Sequence, residues 1–316
     1  MSEEKYRPRI AISGAQGKDE AGVVAGSASV KAMEALIRRC GGEPVILDYR
    51  SSAAPPTNFD GIVLMGNDYD INPKDYKQPL DKKNTKCEDD PKARLPGRPV
   101  RSREEFELAR RRRAYEQKAV QEAERYHIPI FGVCGGMQRI NVELGGQLIQ
   151  HADGLNAATG KSDVDHSAAV RQVSILHDSH LYHLSERAGL LDVTNVDENN
   201  TAFGINSFHH QYVRPSHYGR GLRAAAVMQD KREDGSGRMI IEAIEGEQPP
   251  EGEKPWFVLG VQWHPEFMPE TKLSQAMLTR FIEHAREHER PDVMTHLALA
   301  DRRGDRSSAS GAWVAH

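Results

Sequence analysis

Pro129-Ile-Phe-Gly-Val-Cys134-Gly-Gly-Met-Gln138 places a thiol where thiol chemistry is favoured. Ile128 to Val133 is a short apolar run of strand length. Cys134 follows at once, then Gly135 and Gly136, then a helical pattern beginning near Met137. Gly132-Val133-Cys134-Gly135-Gly136 thus has the form G-x-C-x-G at a strand-to-helix junction, the thiol counterpart of the G-x-S-x-G nucleophile elbow. A nucleophile on such a turn is expected in strained backbone geometry with its side chain exposed. Neighbours without a Cβ let strand and helix close around it. The helix N-terminus behind it carries partial positive charge, which favours thiolate over thiol. The other reading of a lone cysteine here is a buried free thiol beside a glycine turn.

A thiol nucleophile needs a base. The chain has 14 histidines, so their number selects none of them. Gly260-Val-Gln-Trp-His264-Pro-Glu266-Phe267 is more informative. An apolar strand ends in His264, and Glu266 lies two residues on, on the same side of an extended backbone. Its carboxylate can then fix the imidazole tautomer and steady the protonated form, which is the logic of nucleophile, base and orienting group. Pro265 stops the strand there. Attack on an amide carbonyl also produces an oxyanion that needs donors. The candidates are the backbone N–H of Gly135, just after the nucleophile, and that of Asn67, after Gly66.

The elements around these residues read as α/β. Arg9–Ser13, Pro44–Leu47 and Phe59–Met65 are expected strands, and Ser27–Arg39 is a helix stopped by Gly41-Gly42. Strands alternating with helices imply βαβ units and a parallel sheet. Ligands of such sheets gather beyond the carboxyl ends of the strands, where Gly66 and Cys134 both fall. Lys77–Arg103 is a charged, proline-containing stretch, expected as a solvated insertion or as a lid bordering the site. Glu104–Arg125 reads as a long helix whose Arg110–Arg113 run forms a solvated face. Later strands are expected at 170–176, 191–194, 222–228, 239–243 and 258–263, followed by a helix over Thr271–Glu287. Residues 1–8 read as an N-terminal arm, 9–289 as one domain, and 290–316 as a loosely ordered tail in which Leu297, Leu299 and Trp313 are possible anchors.

Composition bounds the rest. A mean hydropathy of −0.64 with no apolar run near the roughly 18 residues that span a bilayer argues against a membrane protein. The first residues lack the apolar core of a signal peptide. A net charge of −4 argues against a general nucleic-acid binder. The three cysteines, Cys40, Cys87 and Cys134, are widely spaced, form no C-x-x-C site, and fit a reducing cytoplasm.

G-x-C-x-G after a strand, with H-P-E far downstream, resembles the class I glutamine amidotransferase superfamily. Within it, four segments resemble the gamma-glutamyl-gamma-aminobutyrate hydrolase family, also called peptidase C26. They are the Gly66…Pro73…Tyr76 loop, Cys134-Gly-Gly-Met-Gln138-Arg-Ile-Asn141-Val142 with Gly145-Gly146, Ile205-Asn206-Ser207-Phe-His209-His210-Gln211, and Gln262-Trp-His264-Pro-Glu266. The resemblance runs from about residue 9 to 285. It implies a single flavodoxin-like α/β domain with a mostly parallel central sheet and flanking helices. It also implies a triad of Cys134, His264 and Glu266 that hydrolyses a γ-glutamyl amide through a thioester and releases glutamate, with putrescine breakdown as context. Gln138 would help hold the glutamyl part. Asn206, Ser207, His209 and His210 would line the crevice or brace its loops. No metal or organic cofactor is required. The expected partners are a small γ-glutamyl substrate and, as a candidate assembly, a second copy of the chain. The rival functions are a glutaminase subunit feeding a synthetase and a non-catalytic binding protein on the same fold. Gly135 departs from the basic or bulky residue the family often has after the cysteine. Asn67 replaces the usual second glycine of the oxyanion loop, and Arg112-Arg113 replaces a common Arg-Asp pair.

Overall fold

The computed structural model describes residues 6–18, 24–50, 54–81, 86–93, 95, 99–150, 170–190, 200–209, 211–231, 237–248 and 255–288. The expected strand at 191–194, His210 and the tail from 290 lie outside these residues. So do residues 1–5 of the arm and 82–85, 94 and 96–98 of the insertion.

The strands are β1 (Arg9–Ser13), β2 (Gln16–Lys18), β3 (Val24–Gly26), β4 (Glu43–Ile46), β5 (Gly61–Leu64), β6 (Ile130–Val133), β7 (Leu148–Ile149), β8 (Val170–Leu176), β9 (Asn200–Asn206), β10 (Tyr212–Val213), β11 (Leu222–Lys231), β12 (Gly237–Gly246) and β13 (Val258–Val261). The helices are α1 (Ala28–Arg39), α2 (Arg103–Tyr126), α3 (Gly135–Glu143), α4 (His180–Arg187) and α5 (Lys272–Glu287). Among the described residues, eleven strands form one sheet along the path β4-β1-β5-β6-β13-β12-β11-β8-β9, with β10 and β7 attached through β12. β2 and β3 pair apart from it.

The sheet is α/β with flanking helices, and its pairing is mixed. From β4 to β13 every neighbour is parallel. From β13 to β9 every neighbour is antiparallel. The parallel pairing expected for most of the sheet thus covers the half that carries the elbow. For β11 and β12 the reason is chain length: β11 ends at Lys231 and β12 begins at Gly237, too short a span for the crossover that a parallel pair needs. Strands β5, β6 and β13 are buried along their whole length, as strands covered by helices on both faces must be. Met33 and Ile37 of α1 and Phe281 of α5 pack on one face. Tyr115 and Ala119 of α2, with Met137 and Ile140 of α3, pack on the other. Helices α1, α2 and α5 begin where side chains satisfy free N–H groups. Ser27 caps α1, Thr271 caps α5, and Ser102 with Glu105 forms a capping box on α2, each worth about 1 kcal/mol.

Two expectations change. The described part of the 77–103 insertion is pinned to the body. Cys87 bridges to Asp70, and Glu88 is 6% exposed with its carboxylate on Arg139. Arg101 donates to the Glu88 and Asp90 carbonyls and stacks 3.7 Å over the Tyr69 ring. The Arg110–Arg113 run is not a solvated face throughout. Arg112 is buried, and Arg113 reaches Asp75, Glu88 and Asp89. Glu88 and Asp89 of the insertion, with Asp75 just before it, thus face Arg113 of α2. No described helix is long and apolar enough to cross a membrane.

Candidate active site

Cys134 sits between β6 and α3 with φ 52° and ψ −111°, a left-handed φ that an L-residue adopts only under constraint. The constraint is close packing. A Cβ on Gly136 would overlap the Leu64 carbonyl oxygen, and one on Gly132 would lie 2.7 Å from the Met137 nitrogen. Strand and helix can therefore meet only with glycine at both positions. α3 starts at Gly135, directly after the thiol, so the positive end of the helix lies beside the sulfur. Cys134 is less open than the elbow pattern suggests, at 8% exposed. Its N–H donates to Val261 O at 2.7 Å, which continues the parallel pairing of β6 with β13.

That register brings His264 and Glu266 to the same sheet edge. His264 Nδ1 and Glu266 Oε1 are 2.8 Å apart, and the Cys134 thiol is within hydrogen-bonding reach of the imidazole. With Nδ1 held by Glu266, Nε2 is the nitrogen left for the thiol. Burial alone would push the His264 pKa down. The Glu266 charge, hydrogen bonds with Cys134 and Glu266, and the Cys134 charge together outweigh it and hold the pKa well above its ordinary value. The backbone of His264 is fixed as well. Asn206 Oδ1 accepts from His264 N at 2.8 Å, and Asn206 Nδ2 donates to His264 O at 2.9 Å. Phe208 and Phe267 flank the ring at 6.1 and 5.7 Å between centroids.

Gly66 occupies the gap between the two reacting groups. A Cβ there would lie 3.1 Å from His264 Cε1 and 3.5 Å from Cys134 Cβ. The two proposed oxyanion donors are neighbours, since a Cβ on Gly135 would come within 2.9 Å of Asn67 N. This close approach accounts for a glycine after the cysteine in a chain that carries a side chain at position 67. Asn67 is itself tethered, its Nδ2 donating to Glu88 Oε2 at 3.4 Å.

The remaining expected residues surround the site without touching the thiol directly. Gln138 Nε2 donates to Gln211 O at 3.0 Å and to Gln262 Oε1 at 3.1 Å. Asn206 braces His264. Ser207 is buried next to it. His209 Nδ1 lies 2.9 Å from Gln211 O, and its Nε2 lies 3.3 Å from Glu242 Oε1. Two residues were not given roles from sequence. Gln262 Nε2 donates to Cys134 Sγ at 3.5 Å, and Ser29 Oγ donates to Glu266 Oε1 at 2.5 Å. Gln262 was in view inside the Gln262-Trp-His264-Pro-Glu266 segment, but its role depends on strand register. Ser29 leaves no local signal. Among the described residues no group of three or more His, Cys, Asp or Glu side chains could hold a metal ion.

A parallel-sheet edge carrying this thiol, imidazole and carboxylate fits the glutamine amidotransferase-type hydrolases, which act on C–N amide bonds. The chain belongs to the Peptidase C26 family, whose model matches residues 96–266, more than half of its length. A glutamine amidotransferase-like protein of Rickettsia prowazekii is 28% identical over 260 residues, covering 72% of this chain and 78% of that protein. One of Lactococcus lactis is 31% identical over 218 residues, covering 68% of this chain and 70% of that protein.

Proposed function

We propose that the chain is a cysteine-dependent hydrolase of small γ-glutamyl amides, of the γ-glutamyl-γ-aminobutyrate type, working in polyamine (putrescine) breakdown. The observation that carries this reading is the 2.8 Å contact of His264 with Glu266 on an imidazole that also reaches the elbow thiol. His264 takes the proton of Cys134, and the thiolate attacks the γ-carbonyl carbon. The N–H groups of Gly135 and Asn67 receive the oxyanion. His264 then gives its proton to the leaving amine, the C–N bond breaks, and a glutamyl thioester remains on Cys134. Water, losing a proton to His264, attacks the thioester. Glutamate leaves, and the thiol is restored. Proton transfer of this kind contributes typically about 10²–10⁴-fold, and each oxyanion donor about 10²–10³-fold.

The test is glutamate release from a panel of γ-glutamyl amines by the wild-type chain and by Cys134→Ala. Release by wild type and none by the variant is expected, and equal release by both would remove the nucleophile. The names of the relatives favour a second reading, a glutaminase supplying ammonia to a synthetase. Turnover of glutamine only when a second protein is added would select it.

A further inference from the structure

The oxyanion donor assigned to Asn67 is a backbone N–H, so its aim is set by a peptide plane and not by a rotamer. In a trans peptide the C=O of Gly66 and the N–H of Asn67 point in opposite directions. Whatever grips Gly66 O therefore aims the Asn67 N–H. The grip is Arg112. Its Nη2 donates to Gly66 O at 3.0 Å and to Met65 O at 2.7 Å. Its Nε donates to Glu116 Oε1 at 2.7 Å, and that oxygen also accepts from Ser13 Oγ at 2.6 Å. Ser13 Oγ in turn accepts from Tyr49 OH at 2.6 Å. All four side chains are buried. On the opposite side of the peptide, Asn67 N faces the first residue of α3, beside the sulfur.

We propose that Arg112 is a positioning residue for the oxyanion site. By holding the carbonyls of Met65 and Gly66, it turns the Gly66–Asn67 peptide so that the N–H groups of Asn67 and Gly135 face one point next to Cys134. A guanidinium suits the task because it offers several fixed donors and no acceptor, whereas an ammonium is a point charge without that fork. Its charge also polarises the carbonyl it holds and strengthens the N–H of the same peptide. Glu116 neutralises that charge within the core. This inference rests on the thioester reading above.

The experiment compares wild type, Arg112→Lys, and the double variant Arg112→Met/Glu116→Gln. The double variant removes both buried charges together, so neither is left unpaired. Two rates are measured on each chain. One is glutamate release from a γ-glutamyl amide, resolved into kcat and KM. The other is alkylation of Cys134 by iodoacetamide, read at that residue by mass spectrometry. Alkylation displaces iodide and develops no oxyanion, so it reports the thiol and imidazole without the donors. We expect kcat to fall about 10²–10³-fold in the double variant, the loss seen when one such donor is removed. KM and the alkylation rate should stay close to wild type. A γ-glutamyl aldehyde, whose hemithioacetal oxygen occupies the same place, should lose affinity in step with kcat. Unchanged kcat in both variants overturns the inference. So does an equal loss of kcat and alkylation, which would make Arg112 a support of the core alone. A wild-type chain that alkylates yet releases no glutamate from any γ-glutamyl amide fails the hydrolase reading and takes this inference with it.

Discussion

Two buried imidazoles, His264 and His209, each lie against a buried glutamate, and it is His264 that the elbow thiol reaches. His264 gives Nδ1 to Glu266 and keeps the other nitrogen for Cys134. His209 has Nδ1 on Gln211 O, while its Nε2 lies 3.3 Å from Glu242 Oε1 without a hydrogen bond. The surroundings differ in the same sense. His264 follows β13, whose neighbour β6 ends in the elbow, and Asn206 clamps its backbone from both sides. His209 belongs to the loop after β9, and its carboxylate partner stands on β12, one strand beyond β13. A histidine beside a carboxylate is therefore not by itself a base. What distinguishes the two is what the imidazole faces.

Breaking the His264 side of this comparison should have the largest effects. Cys134→Ala and His264→Ala should each lower kcat on the order of 10⁶-fold, as removing a nucleophile or its base does in related triads. Glu266→Gln should lower it about 10⁴-fold, because the amide no longer fixes the imidazole tautomer or its charge. Asn206→Ala removes only the backbone clamp. A loss of about 10²-fold is expected, the scale of a misplaced catalytic group. On the other side, His209→Gln removes the imidazole beside the buried Glu242 carboxylate and its bond to Gln211 O. It should destabilise the fold by about 1–3 kcal/mol, read by denaturant titration, while kcat per folded molecule stays near wild type. If His209→Gln abolished turnover in a fully folded chain, the two imidazoles would not differ as drawn here.

The residues on the His264 side were legible because chemistry dictates both their types and their local spacing. An elbow needs small residues around a nucleophile, and a carboxylate two positions from a histidine at a strand end shares its side. Gln262, Ser29 and Arg112 are set by other rules. Gln262 reaches the sulfur because β13 pairs with β6 in one register, and Ser29 reaches Glu266 across 237 residues of chain. Arg112 looked like part of a solvated run because its acceptors, the carbonyls of Met65 and Gly66, have no side-chain signature. The anchoring of the insertion is hidden in the sequence for a similar reason. Glu88 reads as a surface charge until Arg139, 51 residues away, is folded against it. The parallel half of the sheet followed from strand and helix alternation, whereas in the antiparallel half β8 and β9 pair antiparallel although α4 lies between them.

The smallest expected effect concerns the proton on His264. Its folded pKa is held well above the ordinary value of 6.5, burial being outweighed by Glu266 and Cys134. A group whose folded pKa is raised contributes its full stability below the unfolded pKa and loses it as pH rises through the folded value. The measurement is best made in Cys134→Ala, where no thiol exchanges the proton and Glu266 remains to raise the pKa. Unfolding free energy should then decline as pH climbs from about 6.5 toward the raised value. Adding Glu266→Gln should flatten that decline, by about 1.4 kcal/mol for each pKa unit removed. A slope that survived the loss of Glu266 would remove that carboxylate as the cause of the raised imidazole.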